Sequence, residues 1–219
     1  TLAVYTALIP QGGKIMGMSL AHGGHLTHGH KASVTGKFWQ HISFGVNEKT
    51  EVLDFKEIKK IALENKPNII VAGFTAYPRI IDFRKFKEIA KASGSILMVD
   101  MSHIAGLVAG KAYPSPFEYA DVVTTTTHKT LRGPRSAIIF VKRQKNTKGK
   151  EMADLIDKAV FPGLQGGPHI NQITAVAVAL KEAKAPAFKS YAKQVIKNAQ
   201  VLADELKKHG WKIISGGTD

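Results

Sequence analysis

Short apolar runs alternate along this chain with longer amphipathic stretches. The apolar runs predict buried strands at residues 14–18, 41–44, 68–73, 96–99, 121–125 and 137–141. The amphipathic stretches predict helices that begin after the capping residues Asp54 and Asp82 and further helices over residues 171–183 and 188–209. Strands separated by helices favour an α/β fold with a mostly parallel sheet and helices on both faces.

The composition fits a globular chain with an ample core. Its 219 residues, 44% of them hydrophobic, suit one large domain or one and a half. The chain contains no cysteine, which excludes disulfides and thiolate metal sites and accords with a reducing, cytoplasmic location. No apolar run reaches the length of a membrane span. Because the chain starts with neither methionine nor a charged leader, we expect a missing upstream segment.

The net charge of +14 allows two interpretations. Clustered lysines bind nucleic acid by releasing counterions, whereas dispersed lysines only solvate a surface. Most of the excess is lysine spread over helical segments, such as the one from Lys181 to Lys208, with one loose cluster at residues 142–150. Proteins that bind single-stranded nucleic acid interleave basic residues with aromatic ones that stack on the bases, and this chain does not show that pattern. The sequence therefore favours a solvated surface over a nucleic-acid partner.

The stretch 121–135, with the sequence DVVTTTTHKTLRGPR, carries the first candidate for chemistry. Two valines predict the end of a buried strand, four threonines follow, and His128 and Lys129 come next. Desolvation and nearby cations lower the pKa of a lysine amine and make it a nucleophile toward an aldehyde, so Lys129 is a candidate for a Schiff base. The alternative is an exposed loop lysine at the end of a strand.

Asp100 is the second candidate, because it ends the apolar run at residues 96–99. Ligands of open α/β sheets collect at the carboxyl ends of parallel strands, so Asp100 and Lys129 are expected to share one crevice. Pyridoxal phosphate needs such a pair: a lysine for its aldehyde and an acid that keeps its ring nitrogen protonated. The alternative for Asp100 is an N-cap of the next helix.

Four histidines lie in the segment HGGHLTHGH at residues 22–30. One interpretation is a metal site, although catalytic sites usually add a carboxylate and this segment has none. The other is a cofactor loop in which one imidazole stacks on a flat ring and the glycines Gly23 and Gly24 let the backbone approach closely. The ligand chemistry favours the loop, so no metal is predicted.

Five motifs in order, LAHGGHLTHG, GFTAYPR, VDMSHIAGLVAG, VVTTTTHKTLRGPR and VFPGLQGGP, closely resemble serine hydroxymethyltransferase, a fold-type I pyridoxal phosphate enzyme. The resemblance covers essentially the whole chain. It implies that Lys129 holds the cofactor as a Schiff base, Asp100 pairs with the ring nitrogen and His25 stacks on the ring. It also implies that His103 and Thr75 lie near the phenolic oxygen, where the family usually has serine at the position of Thr75.

Further roles are implied by the same resemblance. Thr126 matches an active-site threonine, His128 precedes the lysine as expected, and Arg135 matches an arginine near the active site. The folate-contacting segment corresponds to Leu20, Gly24, His25 and Leu26. Gly166 and Gly167 match a pair whose backbone N–H groups reach the cofactor phosphate of a neighbouring subunit; the alternative is a turn before the helix near Pro168.

The resemblance implies that serine and tetrahydrofolate react to give glycine and 5,10-methylenetetrahydrofolate, in a homodimer or dimer of dimers with the active site at the subunit interface. Residues 1–209 would form the large cofactor-binding domain without its N-terminal part, and 210–219 the start of the small domain. A phosphate loop, a tyrosine, a glutamate and an arginine that clamps the substrate carboxylate would lie outside the chain. We therefore expect little or no turnover from this polypeptide alone.

Two other functional classes stay open at this stage. One is a non-catalytic scaffold or RNA-binding remnant that uses the basic surface. The other is a different fold-type I enzyme, such as an aldolase or an aminotransferase, which would share the lysine and aspartate but would not need the GGHL segment. Dependence on folate distinguishes this last alternative from a hydroxymethyltransferase.

Overall fold

A six-stranded sheet forms the centre of the computed structural model, which describes residues 1–143 and 151–219. The strands are β1 (Lys14–Met18), β2 (Gln40–Phe44), β3 (Ile69–Ala72), β4 (Ile96–Asp100), β5 (Val122–Thr126) and β6 (Ala137–Val141). Their order in the sheet is β2-β1-β3-β4-β5-β6. The first five are parallel, and β6 pairs antiparallel to β5. The predicted mostly parallel sheet is confirmed.

The described helices are α1 (Leu2–Leu8), α2 (Val34–Phe38), α3 (Phe55–Asn65), α4 (Phe83–Ser93), α5 (Ala105–Ala109), α6 (Met152–Lys158), α7 (Ile170–Ala183) and α8 (Pro186–Lys208). Asp54 and Asp82 cap α3 and α4 by accepting backbone N–H groups of the first turn, as predicted. The helices α1, α2, α5 and α6 were not predicted, because each has at most seven residues and shows little periodicity.

Helices cover both faces of the sheet, as predicted. On one face, α1 and α6 contribute Val4, Tyr5 and Ile156 to a core with Ile15 and Met98. On the other face, the described core includes residues of α3, α4, α5 and α8, among them Ile58, Phe86, Ala105 and Phe188. No described helix is both long enough and apolar enough to cross a membrane.

Asp121 joins the starts of β4 and β5. Its side chain is buried, and Oδ2 accepts the Leu97 backbone N–H at 2.9 Å while Oδ1 accepts Lys87 Nζ at 2.6 Å. A buried carboxylate needs such partners, since burial of an unpaired charge is costly. These contacts hold the two strands in register, and their opposite ends therefore come together at the carboxyl edge of the sheet.

The lysines of α7 and α8 are exposed. They are Lys181, Lys189, Lys193, Lys197, Lys207 and Lys208, and the C-cap of α7, Lys184, is exposed as well. Their exposure accords with the interpretation of the positive charge as a solvated surface. The loose lysine cluster at residues 142–150 lies outside the described residues except for Lys142 and Arg143.

Candidate functional site

The carboxyl ends of β1, β3, β4 and β5 meet at one edge of the sheet, where ligands of open α/β sheets bind. The loop after β1 carries His25 and His28, Asp100 ends β4 with His103 three residues on, and Lys129 follows β5. The charges of both Lys129 and Asp100 affect the pKa of His103. The acid and the lysine therefore lie at the same edge of the sheet, where Asp100 Oδ2 is 3.1 Å from His28 Nε2 and Lys129 Nζ is 3.2 Å from His103 Nε2.

Both carboxylate oxygens of Asp100 are engaged. Oδ2 lies 3.1 Å from His28 Nε2. Oδ1 accepts the Ser102 backbone N–H at 3.1 Å and the Ser102 hydroxyl at 2.6 Å. The next helix begins at Ala105, with Ile104 as its N-cap, so the interpretation of Asp100 as an N-cap is wrong.

The carboxyl of Asp100 is held in its ionised form. Burial alone would raise the pKa of this group, since its side chain is only 11% exposed. The hydrogen bond and charge of His28 act in the opposite direction, and both Ser102 donors add to them. These contacts outweigh burial and hold the pKa of Asp100 well below its usual range. An ionised carboxylate is the form that can keep a pyridine nitrogen protonated.

Lys129 lies beside a neutral histidine. Its Nζ is 3.2 Å from His103 Nε2, and its side chain is partly buried, which argues against the exposed-loop alternative. Burial lowers the pKa of His103, and the nearby Lys129 charge lowers it further. A neutral imidazole nitrogen can accept a hydrogen bond from the lysine amine.

Thr130 fixes the segment that carries His103. Its hydroxyl accepts the Gly106 backbone N–H at 2.8 Å and donates to the His103 carbonyl at 3.3 Å. A Cβ on Gly106 would lie 2.1 Å from the Thr130 carbonyl oxygen, so only glycine fits there. The turn after β4 is thus packed directly against the residue that follows Lys129.

Contacts within its own loop orient the His25 ring. Nδ1 accepts the Thr27 backbone N–H at 3.2 Å, and the Thr27 hydroxyl lies 2.8 Å from the same atom. Since Nδ1 acts as an acceptor, the proton of the neutral ring is on Nε2. Burial lowers the pKa of His25, and the neighbouring His28 lowers it further. The two rings have centroids 5.5 Å apart and planes inclined by 54°.

Several buried polar atoms around the crevice have no hydrogen-bond partner among the described residues. They include Thr124 Oγ1, Thr126 Oγ1, His28 Nδ1 and His128 Nδ1. A cavity of about 970 Å³ opens beside the threonines, and its lining includes Thr124, Thr126 and Ser102. Asp100, Lys129 and His103 are not among the residues that line this cavity, so the cavity by itself does not locate the ligand. Buried polar groups are normally satisfied, so the unpaired atoms themselves are the observation that is consistent with a ligand site.

Two glycines allow loops at this edge to pass close to the backbone. A Cβ on Gly24 would lie 2.1 Å from the Met18 carbonyl oxygen. Gly73 has φ of 140° and would bring a Cβ within 2.0 Å of the Asp100 carbonyl oxygen. Thr75, two residues on, donates its backbone N–H to Gly23 at 2.8 Å and leaves its side chain exposed. The loops after β1 and β3 are therefore joined.

Other residues named from the sequence lie at the surface. Leu20 and Leu26 are 41% and 43% exposed and flank the loop after β1. Arg135 is exposed and makes no hydrogen bond or ion pair with another described residue. Gly166 and Gly167 are exposed, and a Cβ on either would meet no described atom within 4 Å. Within the described chain, none of these five residues is bonded to Asp100 or Lys129.

Neither His28 nor Ser102 was predicted as a site residue from the sequence, although both bind Asp100. His28 was present in the histidine segment, three residues after His25, and its contact with Asp100 spans 72 positions of the chain. Ser102 carries a local signal that could have identified it. A side chain two residues after an aspartate often closes a turn of this kind, with the carboxylate as acceptor.

The histidine segment does not form a metal site in the described structure. His22 Nδ1 accepts the Val46 backbone N–H at 3.1 Å, and His30 Nδ1 accepts that of Ala32 at 3.2 Å. His28 faces Asp100 instead. Among the described residues, no group of three or more histidines, cysteines or carboxylates is placed to hold a metal ion.

Comparisons with known proteins extend these observations. A family model described as Serine hydroxymethyltransferase matches residues 1–219. A curated protein named Serine hydroxymethyltransferase from Desulfotalea psychrophila (strain LSv54 / DSM 12343) is 56% identical over 218 residues, which is 100% of this chain and 49% of that protein. One of the same name from Koribacter versatilis (strain Ellin345) is 53% identical over 218 residues, or 100% of this chain and 50% of its own length. The chain thus spans about half the length of these relatives.

Proposed function

Because the chain belongs to the serine hydroxymethyltransferase family, a family of transferases, we propose that it carries the cofactor-binding centre for that family's reaction. The reaction converts serine and tetrahydrofolate into glycine and 5,10-methylenetetrahydrofolate. The cofactor is pyridoxal phosphate, held by Lys129. The arrangement that carries the proposal is the shared crevice in which Lys129 Nζ lies 3.2 Å from His103 while Asp100 is buried and ionised nearby.

The residues of the crevice fit pyridoxal phosphate. A lysine is available for the aldehyde, and a carboxylate with a lowered pKa is available for the ring nitrogen. Thr126 Oγ1 and His128 Nδ1 are buried without a hydrogen-bond partner among the described residues, so they are available for polar contacts with the cofactor. When bound, the cofactor supplies an electron sink for a carbanion next to the amino group of the substrate.

Asp100 would hold a proton on the ring nitrogen. Its two oxygens already bind Ser102 and His28, so the carboxylate cannot rotate freely. An ionised carboxylate next to a pyridine nitrogen favours the protonated ring, because an opposite charge stabilises the charged form. Asp100 would therefore act by electrostatics from a fixed position.

His103 would move a proton at Lys129. The lysine amine must lose a proton before it can act as a nucleophile. His103 Nε2 is within hydrogen-bond reach of Nζ, and burial and the lysine charge both keep this imidazole neutral. Thr126 and His128 flank the lysine on the same segment and would add hydrogen bonds, while Thr75 would lie beside the phenolic oxygen.

His25 and the residues around it would bind the two flat ligands. Thr27 fixes the plane of the His25 ring, and the lowered pKa of His25 keeps the ring neutral, which suits stacking on a cationic pyridine ring. Leu20 and Leu26 expose apolar surface on the same loop, and Gly24 keeps its backbone close to β1. We assign these three residues, with His25, to the folate.

A homodimer or a dimer of dimers would complete the site. Exposed apolar side chains on α7 and α8 support an assembly, since Ile170, Val201 and Leu202 are each more than 60% exposed. Gly166 and Gly167 are also exposed and would offer backbone N–H groups to the cofactor phosphate of a neighbouring subunit. Arg135 would lie near the active site. The absence of cysteine supports a cytoplasmic location.

Borohydride reduction tests the cofactor assignment. The chain is mixed with pyridoxal phosphate, reduced and digested, and the modified peptide is mapped by mass spectrometry. We expect the label at Lys129 and a visible absorption band that Lys129→Arg lacks. Lys193→Arg, which replaces an exposed lysine of α8, should change neither result. A label spread over surface lysines would contradict the proposal.

Folate dependence tests the substrate assignment. The catalytic assay uses a protein that includes this chain and the remaining length found in the relatives. We expect formation of glycine from serine to require tetrahydrofolate and to be lost in Lys129→Arg. Transamination or aldol cleavage without any folate response would favour the other fold-type I enzymes.

A further inference from the structure

Ser102 connects the acid of the crevice to the strand that leads to the lysine. Its side chain is buried, with the residue only 7% exposed. The hydroxyl lies 2.6 Å from Asp100 Oδ1 and 3.0 Å from the Thr126 backbone nitrogen. Thr126 is the last residue of β5, and Lys129 follows three positions later. One hydroxyl therefore links the ends of β4 and β5.

This hydroxyl continues the hydrogen-bond ladder between the two strands. The Met101 backbone N–H donates to the Thr124 carbonyl at 2.9 Å, just past the paired residues Asp100 and Thr124. The chain after Met101 turns toward α5, and the N–H of Thr126 is bound by Ser102 Oγ. The side chain supplies the acceptor that a longer β4 would have supplied from its backbone.

The direction of both hydrogen bonds is determined by chemistry. The Thr126 amide can only donate, so Ser102 Oγ accepts from it and keeps its own proton for Asp100. An ionised carboxylate can only accept, which agrees with this direction. Hydrogen bonds to an ionised group are shorter and stronger than neutral ones, as the 2.6 Å separation reflects.

We propose that Ser102 is a positioning residue that ties the Asp100 carboxylate to the backbone at the end of β5, three residues before Lys129. The inference rests on the proposed function, in which Asp100 faces the ring nitrogen of the cofactor. The distance between that nitrogen and the aldehyde is constant in a rigid ring. A site that holds both ends of the ring must therefore keep Asp100 and Lys129 at a constant separation, and the Ser102 link does so.

The first test compares two cofactor probes. Ser102→Ala removes the link, and Ser95→Ala is the matched control, because Ser95 lies at the opposite end of β4 and donates to the Pro67 carbonyl at 2.7 Å. Affinity is measured for pyridoxal phosphate and for its 1-deaza analogue, in which carbon replaces the ring nitrogen. We expect Ser102→Ala to weaken the binding of pyridoxal phosphate about three- to tenfold and to weaken the binding of the analogue much less. The control should bind both like the unmodified chain.

Equal weakening of both probes by Ser102→Ala would overturn the proposal, because it would reflect general damage to the site. Unchanged affinity for pyridoxal phosphate would overturn it as well. Failure to bind pyridoxal phosphate at Lys129 by a protein that includes this chain and the remaining length found in the relatives would count against the proposed function instead. In that case the second test, which needs no cofactor, decides the role of Ser102.

The second test follows the link in the free chain by NMR. We expect Ser102→Ala to accelerate hydrogen exchange of the Thr126 amide and to raise the pKa of the Asp100 carboxyl toward its ordinary value. Ser95→Ala should change neither quantity. An unchanged Thr126 exchange rate together with an unchanged Asp100 titration would overturn the proposal even if the chain binds the cofactor.

Discussion

His28 Nε2 lies 3.1 Å from Asp100 Oδ2 in a buried contact between the loop after β1 and the end of β4. His28 is only 2% exposed, and its charge and hydrogen bond lower the pKa of Asp100 against the effect of burial. The contact makes one histidine of the glycine-rich loop part of the acid's environment. It also links the loop that carries His25 to the strand that carries the acid.

Removal of His28 should destabilise the chain. His28→Ala leaves the buried Asp100 carboxylate without its partner on Oδ2 and opens space in a packed region. We expect the free energy of unfolding to fall by about 2 to 4 kcal/mol, measured by urea denaturation at neutral pH. The control His209→Ala, at the exposed C-cap of α8, should change it by less than about 0.5 kcal/mol. Equal effects of the two substitutions would contradict a structural role for the contact.

The stability that Asp100 provides should depend on pH in a defined direction. Its folded pKa is lowered, so the unfolded state binds its proton more readily and the contribution is present above the unfolded pKa of about 3.9. As pH falls through this value and toward the folded pKa, the contribution is lost. We therefore expect the difference in unfolding free energy between the unmodified chain and Asp100→Asn to shrink below about pH 4.

Denaturation at a series of pH values measures this difference. Asp204→Asn is a useful control, because the Asp204 carboxylate is exposed and pairs with Lys207 in solvent. The unfolding free energy of this control should differ little from that of the unmodified chain at every pH. A pH-independent difference for Asp100→Asn would show that the ionised form of Asp100 does not stabilise the fold.

Two glycines of the crevice should tolerate no side chain. Gly73→Ala forces a Cβ toward the Asp100 carbonyl at a φ of 140°, and Gly24→Ala forces one toward the Met18 carbonyl. We expect each to lower the free energy of unfolding by about 2 kcal/mol or more. Gly166→Ala meets open space in the described structure and should change stability by less than about 0.5 kcal/mol. Thermal unfolding of the three variants tests the comparison.

This polypeptide alone should show little or no turnover of serine. The resemblance assigns the clamp for the substrate carboxylate to an arginine outside these 219 residues, and the relatives are about twice as long. Loss of a bidentate clamp weakens both binding and orientation of the substrate. A steady-state assay with serine and tetrahydrofolate measures the rate. Robust turnover by the isolated chain would refute the expectation.

Much of the fold could be predicted from the pattern of residues. The strands β1 and β6 were predicted with the bounds that the structure has, and Asp54 and Asp82 identified the starts of α3 and α4. Long periodic segments and capping residues carry local signals, so they can be identified without knowledge of the partners. The antiparallel direction of β6 was not predicted, because direction depends on the route of the chain and not on the composition of a strand.

Some residues of the candidate site were likewise predicted from the sequence, and others were not. Asp100 and Lys129 were identified because Asp100 ends one predicted strand and Lys129 comes after another, and such strand ends meet at one edge of a parallel sheet. The contacts of His28 and Ser102 were missed. The first joins residues 72 positions apart, and the second binds the amide of Thr126 on a neighbouring strand. Neither pairing leaves a periodic pattern in the sequence.

The sequence by itself determined the α/β alternation, the family and the residue types at the ends of β4 and β5, since these follow from local patterns and motifs. Only the tertiary structure decided which of four histidines faces Asp100 and that Ser102 joins Asp100 to the lysine strand. The physical reason is the separation along the chain over which each kind of interaction acts. Apolar periodicity and capping act within a few residues, whereas hydrogen bonds depend on atoms that come within about 3 Å only after the sheet has formed.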